Sequence, residues 1–253
     1  MKKRNIRLKR KIFLWAGIAD LLMILGASFS LAYFTSYDSV TNRLHATVMD
    51  VALFEDEFYR LTEKQKSTLV PNTLLPKDPR LQNVENIDLF VFMKVTVPVY
   101  ETTVINDDGT QAQGSRRREV FYLKTKERAE EAETSFHLRE DPNDKDFWVE
   151  LTSFEEGKNG QDDTRTYVFG YCVYLHNGES TETLFDYIEL KNIRQFEIDP
   201  DDRLNVKVEG YAVMADGIDG ISKELGGSKN VLSEGQLSRI YRLIDEDDNN
   251  NGG

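Results

Sequence analysis

The sequence predicts an all-β protein built from two antiparallel sheets packed face to face, and three observations point there. About eight short apolar or alternating segments recur along the chain, turn signals separate them, and only one segment shows helical spacing. That segment predicts a short C-terminal helix, and an N-terminal signal helix is expected ahead of the sheets. No internal repeat is visible.

Lys2, Lys3, Arg4, Arg7, Lys9, Arg10 and Lys11 make a basic start, and an apolar stretch over residues 12–25 follows, interrupted only by Asp20. That order is the order of a secretion signal over residues 1–32. Small residues then supply a cleavage site, with Ser30 and Ala32 at the −3 and −1 positions of a cut before Tyr33; a second cut is available after Ser30. Residues 12–32 are also long enough for an uncleaved membrane anchor. Asp20 opposes that reading, because an aspartate in mid-bilayer costs about 2.5–3.5 kcal/mol. Retention would leave a sandwich tethered to the membrane through this segment alone.

Residues 33–45 are polar and aromatic without helical spacing, and read as a leading arm whose strand-forming residues are Tyr33, Phe34, Thr35, Tyr37 and Val40. A first strand is expected over residues 46–54. Pro71, Pro76 and Pro79 exclude helix and central strand from the loop 69–79. Residues 89–100 are β-branched and aromatic and form the strongest core-strand candidate, with Pro98 suited to an edge or a strand end. Asn106-Asp107-Asp108-Gly109 is turn chemistry, so residues 89–100 and 120–123 are expected to form a hairpin with Arg116, Arg117 and Arg118 on its solvated tip.

Residues 126–133 permit a short helix, residues 147–151 a strand, and 157–164 a polar loop. Asn177-Gly178 suggests a long hairpin between residues 165–175 and 183–190. From Leu204 the period-two alternation of Leu204, Val206 and Val208 announces a strand continuing to Met214. Ser233 and Gln236 have capping-box spacing, and Leu237, Ile240, Tyr241 and Ile244 form one stripe that should pack on the sandwich. The domain is thus expected over residues 46–244, with an acidic disordered tail at 245–253.

Composition narrows the function. The net charge of −12 hides an asymmetry: residues 1–32 carry seven Lys/Arg against one acid, leaving 25 against 43 acids, or −18, for the remainder. Such a body is repelled by phosphate backbones and anionic lipid, which excludes nucleic-acid and peripheral membrane binding. The single cysteine, Cys172, excludes an intramolecular disulfide; it reads as a buried apolar thiol, with a reactive nucleophile or intermolecular bridge as the alternative.

No catalytic constellation is visible. His45, His137 and His176 are far apart in sequence, no HExxH occurs, and there is no phosphate loop, GxSxG elbow or dinucleotide glycine pattern. The expectation is a non-enzymatic chain with no cofactor and no catalytic or metal residues. Acids cluster at 107–108, 141–146, 162–163 and 199–202; these are solvated turns or at most weak Ca²⁺ sites, since none has EF-hand spacing.

Several segments together resemble the TasA/camelysin family, exported matrix proteins of Gram-positive bacteria processed by the dedicated signal peptidase SipW. The resemblance rests on the junction Ala27-Ser28-Phe29-Ser30-Leu31-Ala32-Tyr33-Phe34-Thr35, on Val51-Ala52-Leu53-Phe54-Glu55, and on Lys77-Asp78-Pro79 with Asn83. Further pieces are Phe90-Val91-Phe92 up to Pro98, residues 175–185 with Gly178-Glu179-Ser180-Thr181, and Gly210-Tyr211-Ala212-Val213. It implies a jelly-roll-like sandwich that assembles into extracellular biofilm fibres, each subunit donating its N-terminal segment as a strand to the next. Camelysin members have been described as metallopeptidases, but no zinc motif here supports that activity. The competing reading from another class is a monomeric surface adhesin or carbohydrate-binding module, and a secreted metalloendopeptidase is the third.

Overall fold

The protein's structure, a computed structural model, describes residues 51–250 except 68, 69, 107, 115, 142, 143, 145, 146, 158–162, 195–197, 199–203, 217 and 219. The signal segment, the arm and the start of the first expected strand lie outside the described residues.

In chain order, β1 (Val51–Phe54), α1 (Asp56–Tyr59) and α2 (Glu63–Ser67) precede β2 (Leu74–Pro76), β3 (Arg80–Asn83), β4 (Leu89–Glu101), β5 (Arg117–Glu119) and β6 (Phe121–Lys124). A 3-10 turn at Lys126–Arg128 leads to β7 (Trp148–Glu156), β8 (Thr164–Tyr171), β9 (Tyr187–Leu190) and β10 (Lys207–Met214). A small hairpin of β11 (Glu224–Leu225) and β12 (Ser228–Lys229) precedes α3 (Glu234–Asn250). The protein is predominantly β, every pairing between these strands is antiparallel, and a helix closes the chain.

The large sheet runs β10-β4-β8-β7, with β5 on the far end of β4; the small sheet runs β2-β9-β6, and β1 pairs with β3. β4 sits inside the large sheet and is buried on both faces. Leu89, Val91, Met93, Val95 and Val97 share one core with Phe121, Leu123, Ile188 and Leu190 of the small sheet and with Val51 and Leu81. Phe90 and Phe92 point the other way, into a second core with Val168, Tyr211, Val213 and the α3 residues Leu237, Ile240, Tyr241 and Ile244. The two sheets therefore share one core, and the helical stripe packs against the second.

α3 starts as the sequence predicts. Ser233 N donates to Gln236 Oε1 at 2.9 Å and Gln236 N donates to Ser233 Oγ at 3.3 Å, the reciprocal capping box. The helix then runs to Asn250, into the tail expected over residues 245–253. Residues 245–250 contain no Gly or Pro, and extending a nucleated helix costs little.

Pairing differs from expectation in three places. Residues 165–175 and 183–190 do not form one hairpin: β8 belongs to the large sheet and β9 to the small one. The Asn177-Gly178 turn does form, with Gly178 at φ +78. Beyond it, however, Ser180 bridges Gln82 and Thr181 N donates to Leu81 O at 2.8 Å, so the chain returns along β3. Arg117 and Arg118 are not on a hairpin tip but in β5, opposite Glu101 and Tyr100. Val120 ends that pairing, and β6 continues in the other sheet, so residues 89–100 and 120–123 are not hairpin partners either. Finally, the proline-rich loop includes β2, a three-residue strand at a sheet edge, where Pro76 is tolerated.

Pro98 explains a fourth difference. The alternating pattern begins at Leu204, yet β10 begins at Lys207, opposite Thr96. The carbonyl of Pro98 accepts from Val120 N at 3.2 Å, while Val99 N donates to Asp163 O on the β8 side. Pro98 therefore aims its missing N–H at the β10 side, where Asn205 would need it.

The β1–β3 pair crosses the large sheet at Gly210. A Cβ there would lie 2.5 Å from Leu81 Cδ2 and 3.2 Å from Val51 Cγ1. Gly210→Ala is expected to destabilise the fold by about 1–3 kcal/mol through overpacking, seen as a lower urea midpoint at unchanged slope.

Candidate functional site

Three polar constructions stand out from the sandwich. The first fastens the end of β1. Glu55 and Lys77, 0% and 2% exposed, form an ion pair of 2.7 Å, and Lys77 Nζ lies 4.5 Å from the Phe58 ring centroid. Asp78 Oδ1 accepts from Glu57 N at 2.9 Å and Phe58 N at 3.4 Å, and Arg80 pairs with Asp56. Burial nevertheless leaves the Asp78 carboxyl above its ordinary value. The segment 77–80 thus holds each residue from Glu55 to Phe58, directly after the strand that follows the arm.

The second is centred on Asp186, whose backbone N donates to Lys124 O and whose carbonyl accepts from Lys77 N, each at 2.9 Å. Its Oδ2 lies 2.8 Å from His137 Nε2 and accepts from Lys126 N at 2.9 Å; Lys126 Nζ lies 3.5 Å from Oδ1. Glu127 approaches the other imidazole nitrogen at 4.0 Å. The hydrogen bond to Asp186 raises His137 above the usual 6.5, against burial. Burial pushes the Asp186 carboxyl up, but His137 and the Lys126 amide hold it below the usual 3.8.

His137 is therefore not isolated, as its sequence neighbourhood suggested. It meets two carboxylates from distant segments, and the three ligand atoms lie within 4.8 Å of one another. Such a set could hold a divalent cation once deprotonated. As built it is a histidine–carboxylate pair whose imidazolium form Asp186 favours, with the Lys126 ammonium facing the second Asp186 oxygen. No sequence spacing could have announced it, because the 3-10 turn, the loop before β7 and the approach to β9 each supply one residue.

The third is a cleft of about 560 Å³ over the outer face of the small sheet. Tyr122 and Lys124 of β6, Glu189 of β9 and Leu74 of β2 floor it. Lys124, 3% exposed, pairs with Glu189 at 2.7 Å and donates to Ala129 O at 3.0 Å. Lys191 follows on the same face, with Nζ 4.3 Å from the Tyr122 ring centroid, and burial lowers its ammonium to about 8. Asn72, Asn106 and Asn192 are among the residues that line it, and Asn106 Nδ2 donates to Thr110 Oγ1 at 2.9 Å.

The other expected residues are scattered. Ser30, Ala32 and the arm residues Tyr33, Phe34, Thr35, Tyr37 and Val40 lie outside the described residues, as does His45. His176 Nδ1 lies 2.7 Å from Asp88 Oδ1, and Lys223 pairs with Asp88 Oδ2 at 2.8 Å. Of the acidic loops, Asp108 accepts from Thr110 N at 2.8 Å, Asp144 accepts from Asp141 N at 3.1 Å, and buried Asp163 pairs with Arg117. Cys172 is buried, which raises its thiol. Among the described residues, β10 and residues 149–156 of β7 have no strand on their outer sides; only Trp148 of β7 is bridged there, by Leu138.

Comparison with protein-family models, with curated proteins and with solved structures finds no match.

Two outcomes follow from these pairs. Lys77→Met leaves Glu55 as a buried charge without its ammonium and should cost about 3–5 kcal/mol, whereas the double variant Glu55→Leu/Lys77→Met should recover most of that loss in chemical denaturation. His137, raised on folding, stabilises below 6.5 and loses that effect as pH rises through its folded value; Asp186, lowered, stabilises above 3.8 and loses it as pH falls through its own. The thermal midpoint of His137→Gln should therefore fall furthest below wild type between pH 3.8 and 6.5, with the gap narrowing on either side.

Proposed function

We propose that this chain is a non-enzymatic structural protein of a cell surface or biofilm matrix, exported through residues 1–32 and assembled by strand addition through residues 33–45. In this reading it is a relative of the TasA/camelysin proteins, its sandwich is jelly-roll-like, and a dedicated signal peptidase frees the arm by cutting before Tyr33. The two crossings between sheets, at Val120 and between β8 and β9, support the jelly-roll reading.

The observation that carries the reading is the open outer edge of β7. A bulge interrupts the edge between Glu150 and Thr152, and beyond it residues 152–156 have no strand on that side, with Phe154 40% exposed. Monomeric sheet proteins usually block such an edge, because it is a template for another chain. An extended arm laid on it gains main-chain hydrogen bonds. The contact is head-to-tail and need not close, which is what lets it propagate into a filament. The acceptor edge also lies apart from the β1 end, where the segment 77–80 anchors the residues that follow the arm.

Purified residues 33–253 should elongate into fibres visible by electron microscopy, while residues 46–253 should remain a folded monomer in analytical ultracentrifugation. If residues 33–253 stay monomeric at every protein and salt concentration, the strand-addition reading is wrong. N-terminal sequencing of secreted material should give Tyr33, and an uncut chain would remove the free end on which assembly depends.

A further inference from the structure

Residues 222–230 carry the β11–β12 hairpin, and the chain on either side of them is anchored by apolar burial. Ile218 and Ile221 pack against the second core and Val231 against the first, while Leu232 is fully buried and its N–H donates to Cys172 O at 2.9 Å. Between those anchors no residue is buried, and the one large apolar side chain, Leu225, is 75% exposed. The backbone hydrogen bonds of the segment close the hairpin on itself. Leu225 pairs with Ser228 and Glu224 with Lys229, Asn230 N donates to Lys223 O at 2.6 Å, and Gly226 and Gly227 turn the chain at φ +61 and +84. Among the described residues, none of its backbone groups bonds to another element.

What holds the hairpin down is charge. Lys223 Nζ bridges Asp88 Oδ2 at 2.8 Å and Asp216 Oδ1 at 2.6 Å, and Lys229 Nζ pairs with Glu179. The two ammoniums lie 5.4 and 5.1 Å from the Tyr174 ring centroid, and the Tyr174 hydroxyl donates to Glu224 Oε1 at 3.1 Å. Tyr174 is fully buried beneath these contacts, packed edge-on against Phe90 with centroids 6.3 Å apart. A lone exposed ion pair contributes little, but two lysines meeting three carboxylates around one ring form a network. Every member of it is partly exposed, so dissolved ions reach it. Raising the salt shortens the reach of such attractions, from a screening length of about 30 Å at 0.01 M to about 3 Å at 1 M.

We propose that residues 222–230 form a strap held over Tyr174 by Lys223 and Lys229, so that ionic strength sets whether it is closed or lifted. Lifting uncovers Tyr174 and leaves Asp88, Glu179 and Asp216 without their ammoniums. A small two-stranded hairpin does not persist alone in water, so the amides of the strap exchange once it is free. The device uses neither the arm nor the edge of β7, and stands whether or not the chain assembles.

Hydrogen exchange of the full chain, read by mass spectrometry on residues 222–230 with β4 as the reference, tests this between about 0.02 and about 1 M NaCl. Nitration of Tyr174 by tetranitromethane, mapped on its peptide, is the second readout. Exchange in the strap should rise about ten-fold across that range and Tyr174 should become open to nitration, while β4 stays protected. Lys223→Gln/Lys229→Gln should show the high-salt behaviour already at low salt and lose the salt dependence, whereas Leu225→Gln should match the wild type. The proposal is overturned if strap exchange and Tyr174 nitration in the wild type ignore salt, or if β4 loses protection in parallel, since opening would then be global. It is equally overturned if the lysine variant keeps wild-type protection at low salt, or if Leu225→Gln releases the strap as the lysine variant does.

Discussion

Both faces of β4 must be kept from water, and the rest of the architecture is arranged around that constraint. Its odd residues from Leu89 to Val97 need one cover, while Phe90 and Phe92 need another. Each large aliphatic or aromatic side chain is worth about 1.5–3 kcal/mol on full burial, so neither face can be left bare. The small sheet and the β1–β3 pair supply the first cover, and α3 supplies the second. Beyond Phe92 the helical face of β4 becomes polar: Lys94 sits 4.8 Å from the Tyr211 ring, and Thr96 and Thr166 hydroxyls meet at 3.1 Å. The helix is needed over the first part of the strand only.

The elements whose character is local were readable in the residues. β4, β7, β8 and β10 appear where apolar or alternating runs predict strands, and the Ser233–Gln236 box fixes the start of α3. Their partners were less readable, because turn chemistry specifies a reversal and not what the returning chain will meet. Asn177-Gly178 makes its turn, but the residues after it find the edge of β3 closer than β8. Arg116, Arg117 and Arg118 look like solvent-facing charge in isolation, yet Arg117 answers the buried Asp163 from 46 residues away. The His137–Asp186 pair and the cleft were invisible for the same reason. Each is assembled from residues that only the crossing between sheets brings together.

Charged groups cluster at the seams of this fold. Glu55–Lys77 lies where β1 meets the segment before β3, Asp186 where β6, β9 and Lys77 converge, and Lys124–Glu189 across β6 and β9. Pairs removed from water contribute little net stability compared with apolar packing, but losing one partner is costly. They therefore fix which segments meet more than they add to cohesion. Asp186 joins two of these seams, since its carbonyl takes the Lys77 amide while its carboxylate takes His137. A change in the charge of His137 would be felt first at the segment that holds the end of β1.

Pro98 adds a form of error correction. An antiparallel strand can slide along its neighbour in steps of two and keep its apolar face inward, so burial alone would not reject such a slip. If β10 slid toward the far end of β4, its next hydrogen-bonded position would fall on a residue with no proton to give. Val120 already takes the one acceptor that Pro98 has. The imino acid therefore works as a frame marker, denying β10 one wrong alignment that hydrophobicity would have accepted.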